Sequence, residues 1–449
     1  MLWFPREAIL MERRKVIIVG AAGRDFHNFN VVFRDRETYE VVAFTAAQIP
    51  GIVGRKYPAS LAGPRYPQGI PIFAEEDLPQ LIYRFHADLC VFSYSDISYE
   101  SVMHRAAVAN AAGADFAFLG TRETMLESSV PVIAVTAVRT GAGKSQTTRK
   151  IAHILKEKGK RVIVVRHPMP YGVLEDEAVE RFATYEDLER YKTTIEEREE
   201  YEPHIEKGIV VYAGVDYERI LRAAEKEADV ILWDGGNNDT PFYKPKLHIV
   251  LLDPLRPGDE LKYYPGETNL RMADVAIVNK VDSARPEDVE LVKQHAKEAN
   301  PNVEIVEAAS PITVVDPEPI RNRRVLVVED GPTVTHGGMP YGAATIAAKR
   351  WGASEIIDPR PFAVGSIKTT FKKYGHLQNV LPAMGYGDKQ VRELEQTINA
   401  ASCDVVVSGT PIDLRRIVKA NKPIVRVRYE LDEIGRPNLE DVLREWEFL

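Results

Sequence analysis

Residues 131–145 hold the feature that most restricts what this chain can fold into. An apolar run, Pro131-Val-Ile-Ala-Val-Thr, leads within a few residues into Arg139-Thr-Gly-Ala-Gly-Lys-Ser145, and Lys144–Lys158 then has helix-forming composition. A short continuous run of this kind reads as a buried parallel strand, so the expected unit is strand, glycine-rich turn, helix. Backbone N–H groups of such a turn, with the free N–H groups at the helix start, hold phosphate oxygens. Gly141 and Gly143 let the backbone close on the anion without a Cβ clash. Lys144 is expected to reach the β- and γ-phosphates and Ser145 to offer its hydroxyl to Mg²⁺, with Thr140, Ala142 and Gln146 completing the nucleotide contacts.

Two later segments agree with this phosphate-binding loop, or P-loop. Asp229-Val-Ile-Leu-Trp-Asp234 is an apolar strand ending in an acid, which suits a second Mg²⁺ contact by Asp234, and Asn237, Asn238 and Asp239 follow where substrate or water is oriented. Ala276-Ile-Val-Asn279-Lys280-Val-Asp282 resembles the N-K-x-D element of GTPases, and Glu307-Ala-Ala-Ser310 stands where related proteins close a loop over the base. The P-loop departs from the usual pattern at Val138, where a glycine is expected. In the K-G-G-x-G-K-[ST] spacing of the SIMIBI branch, Arg139 replaces the signature lysine and Thr140 a glycine. ATP is the expected nucleotide and GTP stays open.

With 449 residues the chain is too long for one ordinary core. Its fold class is α/β. Residues 1–127 read as a Rossmann-like domain, with strands at 15–19, 39–44, 88–93 and 114–120 and a helix at 98–112. Residues 128–316 form the P-loop domain with a mostly parallel sheet, interrupted at 173–206 by a stretch so rich in charge that it reads as a solvated helical insertion; residues 317–449 form a C-terminal α/β domain. The Gly20-Ala-Ala-Gly23 turn is only part of a dinucleotide fingerprint, so the first domain reads as scaffold or substrate-contributing. Cys90 and Cys403 are far apart without a metal-binding spacing, and the 10 histidines form no such cluster either. A net charge of −8 gives no footprint for nucleic acid, and no apolar run approaches the ~18–20 residues that span a bilayer. A cytoplasmic address follows as the expectation, and a homodimer is expected of a long α/β chain.

Taken together, the chain resembles the cyclic 2,3-diphosphoglycerate synthetase family, whose relatives are often labelled predicted GTPases. The resemblance rests on the P-loop, Arg166-His-Pro-Met-Pro-Tyr-Gly172, Trp233-Asp-Gly-Gly-Asn-Asn-Asp239, Asn279-Lys-Val-Asp282 and Glu329-Asp-Gly-Pro-Thr-Val-Thr-His-Gly-Gly-Met339. It implies an enzyme that uses ATP to phosphorylate 2,3-bisphosphoglycerate, a small phosphorylated acid, and closes it to a cyclic anhydride. Such an acceptor needs cations beside the γ-phosphate, for which Arg139, Arg166 and His167 are the candidates. His336 with Gly337 and Gly338 offers a second anion site or an electrophilic donor, and Asp330 and Thr333 are weaker candidates of the same kind. Lys368 and Arg415 read as surface residues, while Arg24, Arg55 and Arg65 could line a further phosphate pocket. The competing class is a GTPase whose hydrolysis gates a protein partner.

Overall fold

The computed structural model describes residues 13–449 except Ala22, 48–50, 167–171, Asn237, Asn238, His336 and Tyr386. His167, Asn237, Asn238 and His336 therefore lie outside the described residues. Mixed α/β architecture is present throughout, in three principal sheets.

The first sheet orders its strands Lys56–Tyr57, Ile70–Ala74, Tyr39–Ala46, Arg14–Val19, Leu89–Phe92, Asp115–Ala117, parallel except for its first pair. Alternate residues of Arg14–Val19 feed opposite cores. Val16 and Ile18 pack with Phe26 and Phe44, while Ile17 and Val19 pack with Leu81 and Ile82.

The central sheet has nine strands, in the order Glu180–Phe182, Val210–Ala213, Val162–Arg166, Val230–Asp234, Val132–Ala137, Leu247–Leu252, Val275–Val278, Glu304–Ala309, Asp432–Ile434. Its interior is parallel and both edge strands are antiparallel. Val132–Ala137 is buried at every position, as a strand covered on both faces must be. The third sheet orders Ile312–Val314, Ile424–Tyr429, Val405–Ser408, Arg324–Asp330, Glu355–Ile356, with Leu381–Ala383 also paired to Arg324–Asp330.

Residues 432–449, placed by sequence with the C-terminal unit, pair with the central sheet. Asp432–Ile434 runs antiparallel to Glu304–Ala309, and Leu439, Val442 and Leu443 of the last helix enter the central core.

The charged insertion corrects a sequence expectation. Its helix Ile195–Ile205 is not solvated: Glu196, Glu197, Glu199, Tyr201, Glu202 and His204 are all buried. A capping box starts it, with the Thr194 hydroxyl and the Glu197 carboxylate each satisfying the other residue's backbone N–H. Apolar anchors then hold it at both ends, since Ile195 joins the third sheet's core and Tyr201 and Ile205 join the central one. Gly385 makes the seating possible. Its carbonyl accepts from Ile195 N at 3.0 Å, and a Cβ there would stand 2.3 Å from Ile195 Cδ1. Charge density misled because the helix bridges two domains, and its carboxylates face protein on both sides.

Candidate active site

Strand ends from all three sheets meet at one cavity of about 500 Å³. Val132–Ala137 delivers the P-loop, Val162–Arg166 delivers Arg166, Val230–Asp234 leads to Gly236 and places Asp234 buried behind Arg166 and Lys144, and Arg324–Asp330 delivers Glu329 and Asp330. Asp96, just beyond the first sheet's Leu89–Phe92, closes one corner.

The P-loop takes the expected form. Gly141 and Gly143 have φ of 81° and 112°, and a Cβ on Gly143 would lie 2.1 Å from Asn279 Nδ2. Asn279 Nδ2 donates to Ala142 O at 2.8 Å, and Lys280 Nζ donates to Gly141 O at 2.7 Å while pairing with Asp253 at 3.0 Å. Asn279 and Lys280 thus brace the loop. Asp282 accepts from Ser310 N at 3.1 Å, and Ser310 Oγ donates to Gln146 Oε1 at 3.3 Å, which ties the proposed base-side loop to the P-loop helix.

Lys144 heads the helix Lys144–Glu157, with Nζ donating to Gly235 O and lying 3.9 Å from Asp234 Oδ1. Burial, then the charge of Arg166, pulls its pKa below the usual lysine range against the attraction of Asp234. Asp234 is fully buried. Burial opposes its ionisation, but Arg166 Nη1 at 2.6 Å, His204 Nε2 at 3.7 Å and Lys144 outweigh that and hold the carboxyl below the usual range. Arg166 also grips Glu200, and Ser145 Oγ donates to Glu200 Oε2 at 3.3 Å. Ser145, Asp234 and Glu200 present hard oxygen donors around one arginine, the ligand type that Mg²⁺ with nucleotide phosphates takes.

The cations expected to meet acceptor phosphates are already engaged. Arg139 bonds Asp96 at 2.7 Å and Asp259, stacks 3.6 Å over the Tyr263 ring, and reaches Gly337 O at 3.4 Å. Arg256 spans Gly337 O at 2.9 Å, Thr140 O at 2.7 Å and Asp253 Oδ2 at 2.7 Å, so Gly337 acts here through its carbonyl, not as an anion-binding N–H. Gly338 adopts φ 67° in the same turn. Elsewhere Arg65 donates to the carbonyls of Arg34, Arg36 and Tyr39, Arg55 to that of Gly172, and Arg24 to Thr240 O at 2.6 Å beside Asp239. These three arginines therefore hold backbone, not a second phosphate pocket. Lys368 and Arg415 are exposed.

The same cavity has an acidic wall that meets the P-loop at Ser145. Glu196 and Glu200 come from the buried helix, Glu329 and Asp330 from the third sheet. Glu329 accepts from Gly342 N, Ala344 N and Thr345 N at 3.0, 3.0 and 2.7 Å, and so caps the helix Ala343–Arg350. Asp330 accepts from Thr333 N at 3.1 Å and from the Thr333 hydroxyl. Thr333 itself sits against the P-loop, since a Cβ on Gly141 would lie 3.0 Å from its Cγ2.

Among curated proteins, the arginine synthetase ArcE of Thermococcus kodakarensis is 64% identical over 435 residues, covering 97% of each chain. The chain belongs to the ArcE family. No model of a known protein family matches it. Among solved structures, LpxK from Aquifex aeolicus in complex with ATP is 14% identical, covers 83% of this chain and 98% of its own, and has a TM-score of 0.41. The hydrogenase maturation factor HypB from Archaeoglobus fulgidus is 16% identical over 40% of this chain and 81% of its own, with a TM-score of 0.27.

In this ArcE-family chain the residues missed by sequence reasoning are mostly acids: Asp96, Asp253, Asp259, Glu196, Glu199 and Glu200, with Arg256 and His204. The signals available were the Thr194-Ile-Glu-Glu197 capping box, which marks a defined helix start inside the charged stretch, and the apolar Ile195, Tyr201 and Ile205. Among the described residues no helix is long and apolar enough to cross a membrane.

Proposed function

We propose that the protein is an ATP- and Mg²⁺-dependent synthetase that makes arginine from the δ-ureido analogue of that amino acid and ammonia. The observation that carries this reading is the 64% identity to an arginine synthetase along 97% of both chains. The P-loop supplies the chemical route. It presents a γ-phosphoryl group to an oxygen nucleophile. The guanidinium carbon of arginine is bonded only to nitrogen, and the matching carbon that carries an oxygen is that of a ureido group. That oxygen attacks phosphorus as the bond to ADP breaks; ammonia then attacks the carbon, the C–O bond breaks, and inorganic phosphate leaves.

Lys144 neutralises the β- and γ-phosphates, and Ser145 and Asp234 would hold Mg²⁺, which when bound would neutralise charge on the transferring group. Arg166 fixes Asp234 and Glu200 relative to one another. Charge favours this acceptor over a polyanionic one. Arg139 is paired with Asp96 and Asp259, and Arg166 with Asp234 and Glu200; freeing Arg166 to bind acceptor phosphates leaves the fully buried Asp234 without its main cation, at about 3–5 kcal/mol. Phosphorylation and cyclisation of 2,3-bisphosphoglycerate is therefore placed second.

The test incubates the purified protein with Mg²⁺ and ATP or GTP, with either the ureido amino acid plus ammonium or 2,3-bisphosphoglycerate. Arginine formed together with ADP and phosphate in equal amounts is the expected result. Hydrolysis indifferent to any acceptor, or a cyclic anhydride product, contradicts the proposal.

A further inference from the structure

Among the described residues, the cations that line the cavity are Arg139, Lys144, Arg149, Arg166 and Lys280. Four of them are held by acids of the protein: Arg139 by Asp96 and Asp259, Lys144 by Asp234, Arg166 by Asp234 and Glu200, and Lys280 by Asp253. Arg149 is the exception. Its side chain, half-buried on the helix Lys144–Glu157, makes no ion pair or hydrogen bond with any described residue. A guanidinium carries five N–H donors in a planar fork, so at a cavity wall it is set for an anion that the protein does not itself supply. The charge of Arg149 acts on the phenol of Tyr429, at the end of Ile424–Tyr429 in the third sheet, and on His204 of the inserted helix. Tyr429 lines the cavity as well, which places Arg149 where the P-loop helix meets the third sheet. Asp330, Glu199 and Glu200 act on the same phenol, but Arg149 pairs with none of them.

Ser145, at the phosphate end, and Arg149 are four residues apart on one face of the same helix, a single turn or about 6 Å. In the acceptor of the proposed reaction six bonds separate the α-carboxyl carbon from the ureido carbon, and a chain extended at ~3.3–3.6 Å per three bonds covers them in about 7 Å. The two lengths are similar, so one end of such a molecule reaches Arg149 while the other stands at the γ-phosphoryl group. We infer that Arg149 is the subsite for the α-carboxylate of the amino-acid acceptor, its fork taking both carboxylate oxygens. The inference rests on the synthetase reading above. One unengaged guanidinium suits one carboxylate and is too little charge for two phosphates and a carboxylate together. It also selects the nucleophile: a carboxylate held at Arg149 is kept one helical turn from the phosphorus, and the ureido oxygen is the one presented to it.

The experiment measures acceptor-dependent ADP formation by the wild type, Arg149→Gln and Arg149→Lys, with the ureido amino acid and with its α-carboxamide, which has no carboxylate. In Arg149→Gln the KM for the ureido amino acid should rise about 10- to 100-fold, with that for ATP nearly unchanged. The wild type should prefer the acid to the amide by a similar factor, and Arg149→Gln should lose most of that preference, which a merely structural role would not move. A rise confined to ATP assigns Arg149 to the nucleotide phosphates and overturns the subsite, as does a preference for the acid that survives in folded Arg149→Gln. Should Arg149→Gln fail to fold, Arg149→Lys decides: losing the fork must reduce the preference for the acid, and an unchanged preference overturns the subsite. A wild-type protein that forms no arginine refutes the synthetase reading instead; the subsite is then read from thermal midpoints. The acid must raise the midpoint of the wild type above that with the amide, and must not do so in the variants; equal midpoints with acid and amide in the wild type overturn it.

Discussion

The P-loop wall of the cavity comes from one continuous stretch, Arg139–Gln146, whose expected work is shared between backbone N–H groups and a single lysine, whereas another wall takes Glu196 and Glu200 from an inserted helix and Glu329, Asp330 and Thr333 from a different sheet and the turn that follows it. The first wall is positioned by local geometry: two left-handed glycines and a helix start. The second is positioned by packing, with Ile195 in one core and Tyr201 and Ile205 in another. Phosphate recognition can be written into a few adjacent residues because the backbone does most of it. In the proposed reaction the acceptor would meet side chains from distant parts of the chain, and their charge would separate a zwitterionic acceptor from a polyanion.

Four changes break or sharpen that contrast. Lys144→Ala removes the lysine of the first wall and should lower kcat by about 10³-fold or more while the protein stays folded, because Asp234 keeps Arg166 at 2.6 Å; near-normal turnover places the phosphates elsewhere. Glu200→Gln removes one of the two carboxylates on Arg166 and the acceptor of the Ser145 hydroxyl, and kcat should fall about 10- to 100-fold in steady-state assays. Glu329→Gln should act on stability more than on chemistry. It weakens the cap on Ala343–Arg350, and denaturant unfolding should show a loss of about 1–2 kcal/mol.

The smallest effect is expected from pH, at three glutamates of the insertion that do not line the cavity. Burial raises Glu177, Glu180 and Glu197 from 4.5 to about 7, 8 and 7. Below 4.5 the three are protonated in both states, and between there and about 8 the unfolded chain releases protons that the folded one retains. Their contribution to stability is thus complete at low pH and lost as pH rises through the folded values. Thermal midpoints should decline by a few degrees over that window, and Glu180→Gln should flatten the decline.

Much of the phosphate side was legible in the sequence. A buried strand, two glycines, Lys144 and a helix are consecutive, and Asn279 follows an apolar strand that the structure places one strand away from that of the P-loop. What Asn279 and Lys280 do was only half legible, because the brace they give to Ala142 and Gly141 depends on how closely two loops approach. The acidic wall was hidden for a simple reason. Glutamates in a helix look alike whether water or another domain stands opposite, and only Ile195, Tyr201 and Ile205 distinguish the cases. The last helix shows the same limit: Leu439, Val442 and Leu443 announce an apolar stripe, and nothing local says which core it enters.

In the proposed reaction this cavity phosphorylates a ureido oxygen and lets nitrogen replace it. The most direct measurement is phosphorus NMR of the products formed from ATP, ammonium and an acceptor labelled with ¹⁸O in the ureido group. The account predicts that the label appears in inorganic phosphate, bonded to the phosphorus that was the γ-phosphoryl group, with ADP and unlabelled arginine beside it. Label carried on AMP, or unlabelled phosphate released while the ureido oxygen stays on carbon, contradicts it.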